Sequence, residues 1–188
     1  IVPLMLTTEQ TKGQTVFQHG QSVQYHFFSL LDHLKNGSDL PGWRLPAWIS
    51  THSKHILSNL HSDETIAAYT LYHDCGKPLC RIVDAEGKAH FPDHAEVSRR
   101  TYLAATGDTV VANLIGWDMC VHSDDAATIQ FRCENTWTVQ DAITLLLAAL
   151  AEVHSNAKMF GGVDSTSFKI KWKTIEKRGK QICKHFFK

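Results

Sequence analysis

Near the middle of the chain, DETIAAYTLYHDCGKP (residues 63–78) sets a histidine beside an aspartate where a helical pattern must stop. Ile66, Tyr69 and His73 recur at helical spacing, Asp63 is a candidate N-cap, and Gly76 with Pro78 supplies the expected break. The spacing therefore predicts His73 and Asp74 in the last turn of an inward-facing helix. Adjacent helical residues diverge by about 100°, so both can hold one ion only if it lies between their directions. The competing expectation is a hydrogen-bonded core pair, because an unpartnered buried carboxylate is costly. Lys77 follows within a turn and is suited to bind a phosphate or, equally, to complement the dipole of its own helix end. Twelve histidines among the 188 residues surround this pair in sequence. Histidine is the commonest metal ligand and the side chain that titrates near neutral pH.

HDCGKP is preceded by QHGQSV and followed by a short hairpin candidate and then HFPDHAEVSRR. In that combination the chain resembles the HD-domain metal-dependent phosphohydrolase superfamily, whose pattern is an early His, a His-Asp pair, further His residues and a late Asp. It is most similar to the HD modules that accompany bacterial RNA-repair polynucleotide kinases and to the HD regions of CCA-adding tRNA nucleotidyltransferases. These share an arrangement of HDxGKP, hairpin and HxxH. The resemblance runs from about residue 15 to 160. It implies an all-α, irregular helical HD-type bundle with one short hairpin. It also implies a ligand set of His19, the His73–Asp74 pair, His94, and His122 in DMCVHSDD as the additional histidine of binuclear members. His90 is a supporting or surface residue in this reading, and Asp118 either stands behind the ligands or closes a helix.

The late carboxylate departs from the family pattern. The matching stretch is HSNA, which puts Asn156 where the family has Asp. An amide oxygen can ligate a hard cation but brings no charge to hold it. This leaves open a substituted site, a variant that turns over slowly, or a catalytically poor descendant. Asp141 is the other late carboxylate, but TVQD (138–141) reads as a capping box, with Thr138 as N-cap and Asp141 at N3 of an apolar helix.

Imidazoles and carboxylates suit one or two divalent ions of Mn, Fe, Co, Ni or Zn. Such an ion acidifies bound water toward pH 7 to give a hydroxide nucleophile and neutralises a phosphoryl oxygen. The resemblance implies a phosphomonoesterase or phosphodiesterase with Asp74 and Lys77 as catalytic residues, acting on a nucleotide or RNA-end phosphate such as a 2′,3′-cyclic phosphate or a 2′-phosphate. Lys77 would bind that phosphate, with Arg99, Lys158 and Lys169 as lesser candidates. Other classes remain open: a non-catalytic or weakly active nucleotide- or RNA-binding module, a nucleoside triphosphate hydrolase, or a cyclic-nucleotide hydrolase. No GxxxxGK[ST] pattern occurs, so any kinase or ligase partner would be another chain, and self-association is equally open.

Of the remaining histidines, His26 and His33 follow His19 at intervals of seven and drift by about 20° per step round the first long helix. This puts His26 within reach of the pocket and His33 at its rim or exposed. His52, His55, His61 and His185 read as surface or helix-end residues, and His154 as a core residue or one standing behind the ligands.

These side chains need elements to position them. Apolar periodicity predicts helices at about 15–35, 47–60, 63–75, 93–106, 108–120, 138–158 and 165–186, a loop over 36–46, and a short hairpin over 81–91. Hydrophobic residues make up 43% of the chain and charged residues 20%, which excludes disordered and collagenous classes and gives one globular domain; with the resemblance, the expectation is a single HD-type domain over 1–188. No run approaches the roughly 20 apolar residues of a membrane helix. Five scattered cysteines without a CxxC pair, and an opening IVPLML without a signal-peptide pattern, predict free thiols in the cytoplasm. The net charge of zero is segregated. Residues 169–188 carry eight Lys/Arg and one acid, so the basic C-terminal helix (about 165–188) ends an otherwise acidic chain. That helix is suited to phosphate or nucleic acid, or is a solvated face.

Overall fold

A computed structural model describes residues 1–187, and Lys188, the last residue of the predicted C-terminal helix, lies outside them. The chain is all-α with two short antiparallel hairpins. Its elements are α1 (Val2–Thr7), β1 (Glu9–Thr11), β2 (Gln14–Thr15), α2 (Val16–Asn36), α3 (Ala47–Thr51), α4 (Ser53–Ser58), α5 (Asp63–Tyr72) and α6 (Lys77–Cys80). They continue with β3 (Ile82–Val83), β4 (Ala89–His90), α7 (His94–Thr106), α8 (Thr109–Trp117), α9 (Cys120–Ser123), α10 (Ala126–Asn135), α11 (Val139–Ser155) and α12 (Thr166–Phe186). Among the described residues no helix is long and apolar enough to cross a membrane. All five cysteines are free thiols.

Several predicted elements change shape. The helix predicted over 47–60 is two short ones, because His52, at φ −117° and ψ 18°, leaves helical geometry between α3 and α4. The helix predicted over 63–75 ends at Tyr72, which places His73 and Asp74 in the turn beyond it, and Lys77 and Pro78 open the four-residue α6. Pro at the start of a helix is favourable because its missing N–H would have no partner there. Helix α10 has no counterpart in the apolar periodicity: only Ile129 and Cys133 of its residues are buried. A local cap starts it, with the Asp125 carboxylate accepting from Thr128 N–H at 2.7 Å. The first hairpin, built from polar residues around Lys12–Gly13, likewise lacks the alternation that marks a strand.

The described chain clusters into two compact units. The first comprises Ile1–Gln24 and Asp63–Asp118, the second Tyr25–Ser62 and, within the described residues, 119–187. Helix α2 gives residues 16–24 to the first and 25–36 to the second. In the first unit α7 turns into α8 through Gly107, at φ 72°, and Asp108, whose carboxylate caps Val110 and Val111 N–H at 3.0 and 3.1 Å. Helix α8 packs on α7 and on α5, burying Val111, Ala112, Leu114 and Ile115 together with Ile66 and Tyr69. At the end of α8 the Tyr69 hydroxyl donates to the buried Asp118 carboxylate at 2.6 Å.

In the second unit, residues 142–151 of α11 are all buried, as befits a helix apolar on every side. The predicted capping box is present. Asp141 N–H donates to Thr138 Oγ1 at 3.1 Å, Thr138 N–H donates to Asp141 Oδ2 at 2.9 Å, and His61 Nε2 lies 2.8 Å from Asp141 Oδ1. Asp141 is thus committed to holding a helix start. Helix α12 packs on α11, α10, α9 and α3, and Ser165 caps it through Phe168 N–H at 3.1 Å.

Candidate metal centre

Three pieces of local structure in the first unit aim side chains at one carboxylate. Helix α2 starts at a reciprocal cap: Thr15 N–H donates to Gln18 Oε1 at 2.9 Å and Gln18 N–H donates to Thr15 Oγ1 at 3.2 Å. His19 follows in the first turns of that helix and is fully buried. One position on, Gly20 lies so close to the Leu71 backbone of α5 that a Cβ would overlap its carbonyl oxygen. That approach brings His19 beside His73, with ring centroids 5.2 Å apart.

The end of α5 supplies the second piece. A helix that stops leaves carbonyls without intrahelical donors, and His73 Nδ1 donates to one of them, Thr70 O, at 2.9 Å. The ring is thereby oriented with Nε2 3.3 Å from Asp74 Oδ2. The turn itself is clamped from α7. Gly76 N–H donates to the hydroxyl of the fully buried Ser98 at 2.9 Å, and a Cβ on Gly76 would fall 2.6 Å from the Val97 carbonyl carbon. Ser98 was not anticipated as a positioning residue. Its signal was its place four residues after His94 on the same helix face.

The third piece is the start of α7. Asp93 adopts a left-handed φ of 51°, which Asp tolerates better than most residues. His94 then opens the helix and donates from Nδ1 to Phe91 O at 3.1 Å, leaving Nε2 3.7 Å from Asp74 Oδ1. His19 Nε2 lies 3.7 Å from Asp74 Oδ2. Within the described residues, His19, His73 and Asp74 form a buried group whose ligand atoms all lie within 4.8 Å of one another. His94 adds a third imidazole facing the other carboxylate oxygen.

The donor chemistry fits a divalent cation. A neutral imidazole that gives its Nδ1 proton to a carbonyl carries a lone pair at Nε2, and His73 and His94 both turn that atom toward Asp74. Lone pairs so close to a carboxylate are favourable only with a positive charge near them, either protons on the rings or a metal ion that displaces those protons. Burial by itself would raise the Asp74 carboxyl. The Lys77 ammonium at 2.6 Å, then His73 and His19 in their charged forms, outweigh it and hold Asp74 well below the usual carboxylate range. Next to it, burial and the Asp74 charge push the Cys75 thiol up to about 12, so Cys75 is not a nucleophile at neutral pH.

The other predicted site residues are placed as follows. Lys77 bonds Asp74 and lies over the Phe91 ring, 5.5 Å from its centroid. Arg99 is engaged by Glu96 through two bonds of 2.6 and 2.8 Å. His90 is exposed on its hairpin, 2.6 Å from Asp84. His122 and Asn156 belong to the second unit. There His122 Nε2 lies 3.0 Å from Glu152 Oε2, and both residues line a pocket of about 110 Å³ with Asn156 and Lys171. Glu152, one turn before Asn156 on α11, was missed as a histidine partner. Lys158 is exposed beyond α11, and Lys169 Nζ lies 4.0 Å from Asp164. His26 packs near Trp43, His33 donates to Ser38 O at 2.8 Å, and His154 takes the core alternative of the two expected for it. Comparison of the chain with protein-family models, curated proteins and solved structures finds no match.

Proposed function

We propose that the first unit carries a metal-dependent phosphohydrolase centre of HD type, in which His19, His73 and Asp74 hold a divalent ion and His94 completes or extends the set. The observation that carries this reading is the convergence of three imidazole Nε2 atoms on one buried carboxylate, with the Nδ1 protons of His73 and His94 fixed by backbone carbonyls. The resemblance around HDCGKP supports it. When bound, a divalent ion supplies an acidified water and positive charge for a phosphoryl oxygen. Asp74, held ionised by Lys77, serves as a ligand and not as a proton store at neutral pH. Lys77 reaches the same carboxylate from the rim and is the cation that would meet a substrate phosphate. The substrate class we assign is a nucleotide or RNA-end phosphoester, 2′,3′-cyclic or 2′-phosphate first. Mn, Co, Ni, Fe and Zn all match the donors.

The test is metal content by mass spectrometry, followed by hydrolysis of bis-p-nitrophenyl phosphate and 2′,3′-cyclic nucleotides with Mn, Co or Ni. The protein should retain metal and hydrolyse at least one ester, while His73→Ala loses both. Asn156 favours a second reading, a nucleotide-binding module without turnover, because the amide withholds a charge the family pattern supplies. Retained metal with no hydrolysis, in both the protein and its Asn156→Asp variant, would select that second reading. Absence of metal under all conditions would overturn the centre itself.

A further inference from the structure

Helix α12 belongs to the second unit, and the metal centre makes no use of its charge. Its apolar side is consumed by packing: Phe168, Ile175, Gly179, Ile182 and Cys183 are buried. The opposite side is a single stripe. Lys173, Lys177, Lys180 and Lys184 are spaced four, three and four residues apart, all exposed, and run about 16 Å along the helix. The only acid on α12 is Glu176, which pairs with Lys180 at 3.0 Å. At the end of the stripe Lys180 and Lys184 form one wall of a pocket of about 440 Å³, with Trp48, His52 and Phe187 as its aromatic walls. The Phe187 ring stacks on His55, at 5.1 Å and 22°, and lies 5.5 Å from His52. On its other side Lys184 borders a second pocket with Gln130, Gln181 and His185.

The geometry points to a binding surface for single-stranded nucleic acid on α12, with phosphates along the lysine stripe and a base in the pocket walled by Phe187 and His52. A lysine row meets the regularly charged backbone of a strand, and aromatic walls offer stacking that any base can use. The pocket lies within the size range of small-ligand sites. A membrane surface is the poorer partner. An amphipathic helix enters the lipid boundary by its apolar face, and here that face is buried, leaving Ile170 as the exposed large apolar residue of α12. The surface stands on residues separate from the metal ligands and does not depend on the phosphohydrolase reading.

Fluorescence anisotropy on the full chain with a labelled single-stranded RNA of about 12 nucleotides, in EDTA and from about 50 to 200 mM salt, tests it. The unaltered protein should bind, with log affinity falling linearly with log salt. The double variant Lys177→Gln/Lys184→Gln should bind about tenfold or more weakly at low salt, with a slope shallower by about 1.4, the value for two single-strand phosphate contacts. Phe187→Ala should weaken binding about fivefold or more at an unchanged slope. Lys171→Gln, about 200° round the helix from Lys173, should leave binding intact. All four positions lie outside the buried set of α12, so the variants keep their core. No binding at low salt, a double variant equal to the parent, equal weakening by Lys171→Gln, or co-sedimentation with phosphatidylserine vesicles in place of RNA binding would each overturn the proposal. EDTA keeps the outcome independent of the metal centre.

Discussion

His154 and His73 begin alike and end differently. Each donates from Nδ1 to a backbone carbonyl, Leu150 O at 2.8 Å and Thr70 O at 2.9 Å. At His73, Nε2 then faces a carboxylate. At His154 it accepts from Arg44 N–H at 3.1 Å, while Trp43 stacks on the ring at 4.0 Å and Phe168 stands edge-on. With both ring nitrogens of His154 engaged, burial pushes its pKa down from 6.5 to about 4, with His26 adding to the fall. The folded protein therefore refuses a proton that the unfolded chain accepts below about pH 6.5. The stabilisation is complete above that pH and is lost progressively as pH falls toward 4, by about 3 kcal/mol in all. Urea unfolding between pH 7 and 4 should show the unaltered protein losing about that much more stability than His154→Gln over the same range. Identical pH slopes would remove this account of His154.

At the scale of elements, the centre depends on how closely two helices approach. Alanine in a helix interior is ordinarily about 1 kcal/mol better than glycine, so Gly20→Ala in isolation would stabilise α2. In the fold a Cβ at Gly20 meets the Leu71 backbone, which has no flexible end to swing away. Overpacking of that kind costs about 1–3 kcal/mol, enough to reverse the sign. Gly20→Ala should lower the melting temperature and, by moving His19 away from His73, weaken metal binding at least tenfold. A stabilised variant with undiminished metal affinity would show that the α2–α5 approach does not set the site. Gly76 and Ser98 do for α7 what Gly20 does for α5: an N–H to hydroxyl bond at 2.9 Å ties the His-Asp turn to the helix that carries His94.

At the scale of the whole molecule, the proposed metal centre would link ion binding to folding, because its candidate ligands come from α2, the turn after α5, and α7, which are distant in sequence. An ion that binds only the folded state stabilises it by about 2.7 kcal/mol at a free concentration 100 times its dissociation constant. For a chain of this length that corresponds to a rise of about 5–10 °C in melting temperature. Calorimetry should show this rise on adding Mn, Co or Ni and its loss on adding EDTA, with neither effect in His73→Ala. A rise of equal size in His73→Ala would place the ion elsewhere. The balanced net charge also resolves at this scale, into a lysine stripe on α12 whose opposite face is committed to the core.

What the sequence by itself determined is local. The stop at Gly76–Lys77–Pro78, the Thr138–Asp141 cap, the apolar body of α11 and the two-faced pattern of α12 each rest on residues within a few positions of one another. Helical spacing and capping chemistry make such patterns readable. The His73–Asp74 pair was legible for the same reason, although the helix ends one residue before it and leaves the pair in a turn. Tertiary structure alone decided the long-range matters. These include the Gly20–Leu71 approach, the clamp of Ser98 on Gly76, the Tyr69–Asp118 bond and the pairing of His122 with Glu152. Each joins residues far apart in the chain, where periodicity carries no information about which side chains will meet. What each Nε2 faces was visible only there too: the Arg44 N–H from a distant part of the chain at His154, and the carboxylate of the adjacent Asp74 at His73.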